Sequence, residues 1–403
     1  MSDTRRVEPE SFPIQIGQPI LDDLHMRLKR TRWPSTNDTD WSFGTNTEYL
    51  RELIAYWQAG YDWRDHEARL NGLSPFQARV DGKNIFFVHQ PGRGPQPTPL
   101  LLLHGWPDSF YRFHKVIGTL VNPPTDGHLL TDSFDVVVPS QAGFAFTEHK
   151  PVADRPIKHS AEQLWKLMTQ TLGYERFIVA GGDGGSALAQ QMAITHPESV
   201  LGVHLTDLGW HVFNADPESL SKAERKHVEA SQKQARADGA YALVQMSDPR
   251  SLAAGLNDSP VGLAAWITDR FHSWVDFEDD LERVVTRDEL LTNIMLYWTT
   301  RTIESSVISY HYEAQRPSLT PNDHVERPVA LALFPKDIGG VPPRSFAERT
   351  LNVQRWTEMP RGGHFAALEQ PDLYARDLFA FSRELRGLRP QPEQEASNVT
   401  PLF

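Results

Sequence analysis

Gly-Gly-Asp-Gly-Gly at residues 181–185 stands between two runs of different character. The apolar run Phe-Ile-Val-Ala at 177–180 precedes it, and Ser-Ala-Leu-Ala-Gln-Gln-Met at 186–192 follows it. This order is typical of a strand that turns sharply into a helix, with Asp183 at the tip of the turn. Small residues are needed on both sides, because the strained turn brings strand and helix too close together for a Cβ.

Asp183 at such a tip has two interpretations. A carboxylate held there can attack carbon and form an ester that water must then cleave. Glycine-rich turns also serve only to reverse the chain or to cradle a phosphate. A phosphate loop would carry Lys and then Ser or Thr after its glycines, whereas Ser186 and Ala187 follow here, so that use is disfavoured. From this stretch alone, the nucleophilic and the structural interpretation both stay open.

The composition narrows the class of protein. A chain of 403 residues, 39% hydrophobic and with 11 Trp, can bury a large core, so we expect one large domain with attachments. The 40 basic and 52 acidic residues give a net charge of −12, so the chain lacks the excess of positive charge that binds a nucleic acid. Nucleic acid is therefore not an expected partner.

The location of the chain can also be predicted. The longest clean apolar run, at 99–103, is far shorter than the roughly 18 residues that a membrane span needs. Residues 1–6 lack the apolar core of a signal peptide, and the absence of cysteine removes any disulfide framework. We expect a cytoplasmic protein without a membrane span.

Further apolar runs predict the architecture of the core. Runs that are apolar on both faces indicate strands that helices cover on both sides. Helical stretches at 162–171 and 186–194 alternate with them, as in a parallel α/β sheet. The runs lie at 100–103, 134–138, 177–180, 200–205 and 329–334.

The regions outside these runs have their own patterns. Apolar spacing predicts amphipathic helices at 20–33 and 49–57, and alternating segments around Asp81-Gly82 predict a hairpin of 76–80 with 85–89. The long interval from 208 to 325 has no strand pattern and is interpreted as an inserted helical lid. The expected parts are an N-terminal segment at 1–95 that wraps the core, an α/β core at 96–207 and 326–390, the lid at 208–325, and a mobile tail at 391–403.

A nucleophilic Asp183 needs partners for the second step. In hydrolases built on such an elbow, an acid and then a histidine follow the nucleophile in the chain. Asp337 comes just after the run at 329–334, and His364 lies in Arg-Gly-Gly-His-Phe at 361–365, where a loop could carry its imidazole over Asp183. Asp207, at the end of the preceding strand, is a competing acid. We favour Asp337 over it.

Donors for a developing oxyanion are also predicted. His-Gly-Trp-Pro at 104–107 follows the first Leu-rich strand, where the architecture has a loop that contributes a backbone N–H. Trp106 and Gly184 are the expected backbone donors. His104 could be mistaken for the base, but a histidine fixed inside a strand-end turn is better interpreted as structural.

Motifs along the whole chain resemble one family. They are Tyr-Asp-Trp-Arg at 61–64, His-Glu-Ala-Arg-Leu-Asn at 66–71, Leu-Asn-Asp-Ser-Pro-Val-Gly-Leu-Ala-Ala-Trp at 256–266, and Arg-Gly-Gly-His-Phe-Ala-Ala at 361–367. The chain is similar to epoxide hydrolases of the microsomal type over roughly residues 10–385. This resemblance implies an α/β-hydrolase fold, with a mostly parallel central sheet flanked by helices, a helical lid and an N-terminal extension.

The resemblance also implies two roles in the lid. Family members hold the epoxide oxygen with two tyrosines, and the matching positions are Tyr241 and Tyr310. A phenol with a reference pKa of about 10 suits this role, because it donates to an alkoxide without being ionised at neutral pH. Tyr297 and Tyr312 are interpreted as packing residues.

Two departures from the family bear on the range of substrates. Relatives carry a bulky residue, often Trp, after the nucleophile, where this chain has Gly184. The usual Pro-Gly-Phe-Gly-Phe turn appears as Gln-Ala-Gly-Phe-Ala-Phe at 141–146. Neither change removes a catalytic group, but both fall where the family has its pocket wall or the support of that wall.

The expected function is that of an epoxide hydrolase. It would add water to a bulky or aromatic epoxide through an aspartyl ester and release a vicinal diol, in detoxification or in the tailoring of a natural product. A small-molecule epoxide and water would be its partners, no metal or organic cofactor is implied, and the chain could form a homodimer. The alternatives are a haloalkane dehalogenase, against which the paired tyrosines argue, and a catalytically silent binding protein.

Overall fold

The structure is a computed structural model that describes residues 8–35, 40–124, 129–148 and 154–387. The tail predicted at 391–403 lies outside these residues. The strands are β1 (Glu10–Ser11), β2 (Pro75–Val80), β3 (Lys83–Gln90), β4 (Thr98–Leu103), β5 (Phe134–Pro139), β6 (Phe177–Gly181), β7 (Val200–Leu205), β8 (Val325–Leu333) and β9 (Leu351–Glu358).

The helices before β8 surround the sheet and fill the interval after β7. They are α1 (Gln18–Lys29), α2 (Thr47–Ala59), α3 (Trp63–Asn71), α4 (His114–Val121), α5 (Pro156–Lys166), α6 (Gly184–Thr195), α7 (Lys222–Asp238), α8 (Ala240–Ser247), α9 (Pro249–Asp258), α10 (Pro260–Trp274), α11 (Arg287–Thr300) and α12 (Ile303–Gln315). Three more follow, α13 (Arg344–Ala347), α14 (Ala366–Glu369) and α15 (Pro371–Gly387).

Within the described residues the strands form one sheet in the order β1-β2-β3-β5-β4-β6-β7-β8-β9. The pairs from β5 through β9 are parallel, and the three pairs that join β1, β2, β3 and β5 are antiparallel. The predicted mostly parallel sheet is therefore confirmed. The carboxyl ends of its parallel strands share one edge, which is where such sheets carry their binding sites.

The core explains why the strand runs are apolar on both faces. In β6, Ile178 and Ala180 pack into the hydrophobic cluster on one side of the sheet, whereas Phe177 and Val179 pack into the cluster on the other side. Neighbouring β4 alternates in the same way. Because successive side chains of a strand point to opposite faces, a strand buried on both sides has no polar position to spare.

The N-terminal predictions are confirmed with small shifts. Helix α2 begins at Thr47, two residues before the predicted start, because the Asn46 side chain caps it by accepting hydrogen bonds from the backbone nitrogens of Glu48 and Tyr49. Helix α1 ends at Lys29 rather than at residue 33. Residue 33 precedes Pro34, and the proline ring disfavours helical geometry in the residue before it. The β2–β3 hairpin turns at Asp81-Gly82, and both residues have positive φ.

The interval between β7 and β8 is helical, as the sequence predicts. Helices α7 to α12 lie in it, together with short 3-10 turns, and residues 206–324 contain no strand. Helices α8 and α12 run beside each other. They bring Tyr241 and Tyr310 over the carboxyl edge of the sheet, close to Trp106.

Candidate active site

The turn between β6 and α6 is a strained elbow. Asp183 has φ 56° and ψ −129°, and it caps α6. Such a conformation costs a non-glycine residue about 1–3 kcal/mol. A Cβ on Gly105 would overlap the Asp183 carboxylate, and one on Gly185 would overlap the carbonyl of Leu103. Glycine at 105 therefore leaves room for the Asp183 carboxylate, and glycine at 185 lets the start of α6 approach the end of β4.

One oxygen of the Asp183 carboxylate lies between two backbone donors. Its Oδ1 accepts hydrogen bonds from the backbone nitrogens of Trp106, at 3.0 Å, and Gly184, at 2.6 Å. The turn that presents Trp106 is held by Asp108, whose Oδ1 accepts from the Gly105 nitrogen at 2.9 Å. The arrangement fits an oxyanion hole, because both N–H groups are fixed before any charge develops.

The other oxygen faces a histidine. Nε2 of His364 lies 3.5 Å from Asp183 Oδ2, and Nδ1 lies 2.7 Å from Asp337 Oδ1. Both His364 and Asp337 are buried. The structure thus places the imidazole of His364 between the carboxylates of Asp183 and Asp337, and the hydrogen bond to Asp337 fixes the orientation of the ring.

Asp207 has a different position. Its Oδ2 accepts from the backbone nitrogen of Asp183 at 2.6 Å, and its Oδ1 accepts from that of Gly209 at 3.0 Å. Burial and the nearby charge of Asp337 raise the pKa of its carboxyl. Asp207 therefore supports the backbone of the elbow, while Asp337 occupies the hydrogen-bonding position on the imidazole.

The charged side chains of the site shift one another's pKa values. Burial lowers the pKa of His364, but Asp337 and Asp183 outweigh it and raise that pKa to about 10. Burial raises the pKa of Asp183, but His364 and the two N–H donors outweigh it and hold that pKa below its ordinary value. With its carboxylate ionised, Asp183 faces a protonated imidazole at neutral pH.

The two predicted lid tyrosines lie together near Asp183. Tyr241 and Tyr310 hydrogen-bond to each other through their hydroxyls, and their ring centroids are 6.4 Å apart. Trp106 stacks on Tyr241 with centroids 5.4 Å apart. Burial raises the pKa of both phenols, and the negative charge of Asp183 raises it further, so both remain proton donors.

Two cavities meet at Asp183. The larger has a volume of about 730 Å³, and Trp106, Gly184 and Tyr310 are in its wall. The smaller has a volume of about 80 Å³, and His364 is in its wall. Most side chains around the larger cavity are apolar. They include Leu188, Leu243, Met246, Ile308 and Leu319.

The two departures from the family both border the larger cavity. A Cβ on Gly184 would meet only the Cα of Gly105, at 3.9 Å, so there is open space beside Asp183. Gln141 to Phe144 line the same cavity. Tyr312, interpreted from sequence as packing, also lines it, whereas Tyr297 is buried and donates from its hydroxyl to the Asp108 carbonyl at 2.6 Å.

Several residues that the sequence analysis missed hold the His364 loop. Glu369 accepts from the backbone nitrogens of Gly363, at 2.8 Å, and Phe365, at 2.7 Å. Arg112 donates to the carbonyl of His364 at 2.5 Å and pairs with Asp108. The sequence carries one signal for this buried pair, because Arg112 follows Asp108 by four positions inside an apolar stretch.

His104 is fully buried in the turn after β4. Its Nδ1 lies 3.0 Å from the Gly105 carbonyl, and its Nε2 accepts from the Gln141 nitrogen at 3.2 Å. Burial lowers the pKa of its imidazole. These contacts join two loops that border the larger cavity.

Two features are absent from the part of the chain that the structure describes. In it, no three His, Asp or Glu side chains are grouped so as to hold a metal ion. None of its helices has both the length and the apolar character that crossing a membrane requires.

Comparison with known proteins gives concordant matches. A family described as "Epoxide hydrolase N terminus" matches residues 9–113, and one described as "alpha/beta hydrolase fold" matches residues 98–243. The chain is 36% identical to a putative epoxide hydrolase of Stigmatella aurantiaca, over 93% of this chain and 85% of that one. It is 33% identical to epoxide hydrolase 1 of Oryctolagus cuniculus, over 92% and 88%. The solved structure of Aspergillus niger epoxide hydrolase matches with a TM-score of 0.80, 29% identity and coverage of 95% and 98%.

Proposed function

This chain belongs to the epoxide hydrolase family, and we propose that it opens its substrate through a covalent ester on Asp183. An epoxide hydrolase adds water across the ether bond of an epoxide. Five side chains carry the proposed route, Asp183, His364, Asp337, Tyr241 and Tyr310, together with the backbone N–H groups of Trp106 and Gly184. The route uses no metal and no organic cofactor.

The first step forms the ester. Oδ2 of Asp183 attacks an epoxide carbon, and the bond between that carbon and the epoxide oxygen breaks. The oxygen takes a proton from Tyr241 or Tyr310, which becomes a phenolate. A donor is needed because an alkoxide is a poor leaving group and would otherwise carry the whole developing charge.

The second step cleaves the ester. Once Asp183 is a neutral ester, the pKa of His364 falls and its imidazolium releases the Nε2 proton to solvent. Nε2 then takes a proton from water, and the resulting hydroxide attacks the carbonyl carbon of the ester. The negative charge moves onto Oδ1, which the Trp106 and Gly184 N–H groups stabilise. On collapse, the diol oxygen leaves with the proton from His364. The new carboxyl group of Asp183 then returns a proton to the phenolate, and His364 takes one back from solvent, which restores the enzyme.

The proposal rests on one observation, that the two carboxylate oxygens of Asp183 have different partners. Oδ1 already occupies the two-donor position that a tetrahedral oxyanion would need. Oδ2 is turned toward His364. One carboxylate is therefore oriented for both steps, with its nucleophilic oxygen and its future carbonyl oxygen distinguished by their surroundings.

The larger cavity supports a bulky, mainly apolar substrate as part of the proposal. Pockets of about 300–1,000 Å³ enclose drug-sized molecules, and the volume of about 730 Å³ lies within that range. An aromatic or fused-ring epoxide would bury its carbon skeleton there and present its oxygen to the two tyrosines. Detoxification or natural-product tailoring, a cytoplasmic location and a homodimeric state belong to the same proposal.

Asp183→Asn tests the proposed function. The purified variant should release no diol from an aryl epoxide, because an amide is a poor nucleophile, while its thermal melting and substrate binding stay close to those of the unsubstituted protein. Mass spectrometry must exclude deamidation to Asp. Diol release at a rate near that of the unsubstituted protein would overturn the assignment of Asp183.

A further inference from the structure

The two cavities divide the proposed catalytic groups between them. Tyr310, Trp106 and Gly184 line only the larger cavity, whereas His364 and Asp337 line only the smaller one. Six residues belong to both walls, and they are Asp183, Gly209, Trp210, Ala235, Gly239 and Tyr241. Tyr310, which serves ring opening, thus faces one space, whereas the imidazole and the acid that activate water face the other.

The smaller cavity extends from the site toward solvent. Buried His364 and Asp337 lie at its inner end, and the exposed residues Gln234 and Gly340 lie at its rim. The Gln234 side chain accepts a hydrogen bond from the Gly339 nitrogen at 3.0 Å, which joins α7 to the loop after β8. The cavity is therefore bounded by α7 and by the loop after β8, and that loop contributes no residue to the wall of the larger cavity.

Polar atoms along the smaller cavity lack partners. Among the described residues, Thr206 Oγ1 and Ser231 Oγ are buried and have no hydrogen-bond partner in the protein. Buried polar atoms are nearly always paired, commonly with water where the protein offers no group. A water needs about 10–15 Å³ of such volume, so the cavity of about 80 Å³ can hold several.

We propose that the smaller cavity is a water passage that delivers the hydrolytic water to His364 between α7 and the loop after β8, outside the part of the larger cavity that holds the substrate. The inference rests on the proposed function, since it assigns a route to the water of the second step. A bulky diol half of the ester can then remain in the larger cavity during hydrolysis, because water does not have to pass it.

Ser231→Leu tests the passage, with both half-reactions measured by stopped-flow tryptophan fluorescence and by intact-protein mass. The added side chain should obstruct the passage beside Gly339, to which Ser231 Oγ is close. We expect alkylation within about twofold of the unsubstituted rate and ester hydrolysis slowed about tenfold or more, so that the ester accumulates.

Two further variants serve as controls. Ala230→Leu adds the same bulk to the exposed face of α7, outside both cavities, and should change neither step. Ala187→Leu narrows only the larger cavity and should slow alkylation while sparing hydrolysis. Should Ser231→Leu fail to fold, Gln234→Trp at the exposed rim gives the same test.

A folded variant of the passage that hydrolyses the ester within about twofold of the normal rate would overturn the proposal. Equal losses in alkylation and hydrolysis would overturn it as well. His364→Ala separates this failure from failure of the proposed function. That variant should trap the covalent ester, and if it forms none, the ester mechanism itself is wrong, whatever route the water takes.

Discussion

His364 and Asp183 face each other with 3.5 Å between Nε2 and Oδ2, as an imidazolium and a carboxylate. The pKa of His364 is raised to about 10, against the effect of burial, by Asp337 and Asp183. Alkylation turns Asp183 into a neutral ester and removes one of these charges. The pKa of His364 then falls, so the first step itself prepares the base for the second.

The pH dependence of the two steps should differ accordingly. Alkylation needs ionised Asp183, whose pKa is held below its ordinary value, so its rate should be flat between about pH 5 and 9. Hydrolysis needs neutral His364, so its rate should rise with pH through the lowered pKa of the ester state. Stopped-flow rates across this range test the prediction. A shared inflection at neutral pH in both steps would contradict it.

Asp337 and Asp207 should be distinguishable by which step they affect. Asp337→Asn removes the charge that orients and stabilises the imidazolium, so it should slow ester hydrolysis, as a milder form of the His364→Ala defect. Asp207 accepts a hydrogen bond from the backbone of Asp183, so Asp207→Asn should slow alkylation and lower the melting temperature. Pre-steady-state rates of the two variants decide the matter. Accumulation of ester in Asp207→Asn alone would make our assignment of the acid wrong.

Tyr241 and Tyr310 should share the stabilisation of the developing alkoxide. Replacing both by Phe should slow alkylation far more than either single change, because one remaining donor still acts. A single donor of this kind is worth about 2.7–4 kcal/mol, or roughly 10²–10³ in rate. Tyr56→Phe is a control far from the site, since it removes a hydroxyl that donates to the Asp288 carboxylate. Unchanged alkylation in the double variant would return both tyrosines to a packing role.

The open space beside Gly184 should set the size of acceptable substrates. Gly184→Trp should lower kcat/KM for a polycyclic epoxide selectively and spare a small one such as styrene oxide, since the backbone N–H of the residue is retained. Gly184→Ala is the matched control, because its Cβ fits without a clash. Equal losses for both substrates in Gly184→Trp, with a lowered melting temperature, would show that the glycine only eases the turn.

The sequence predicts the parts of the site that depend on local pattern. The elbow at Asp183 can be recognised because an apolar run, a glycine-rich turn and a helix follow one another directly. His364 and Asp337 can be found because they follow strands in a fixed chain order. By contrast, β1 has only two residues and leaves no apolar run to detect.

Contacts between distant parts of the chain could not be predicted in this way. Glu369 acts through backbone nitrogens that include that of Asp276, 93 residues away, so no local pattern marks it. The separation of the two cavities depends on how α7 and α8 pack against the loop after β8. Neither the spacing nor the composition of these elements specifies that packing.

A single turnover in water enriched in oxygen-18, with enzyme in excess over epoxide, tests the covalent ester most directly. Because Oδ2 of Asp183 becomes an oxygen of the diol and the oxygen of water enters the carboxylate, the diol should carry no label. The peptide that contains Asp183 should carry it instead, as mass spectrometry would detect. Label in the diol of the first turnover, with none in that peptide, would mean that water attacks the epoxide directly and would contradict the account.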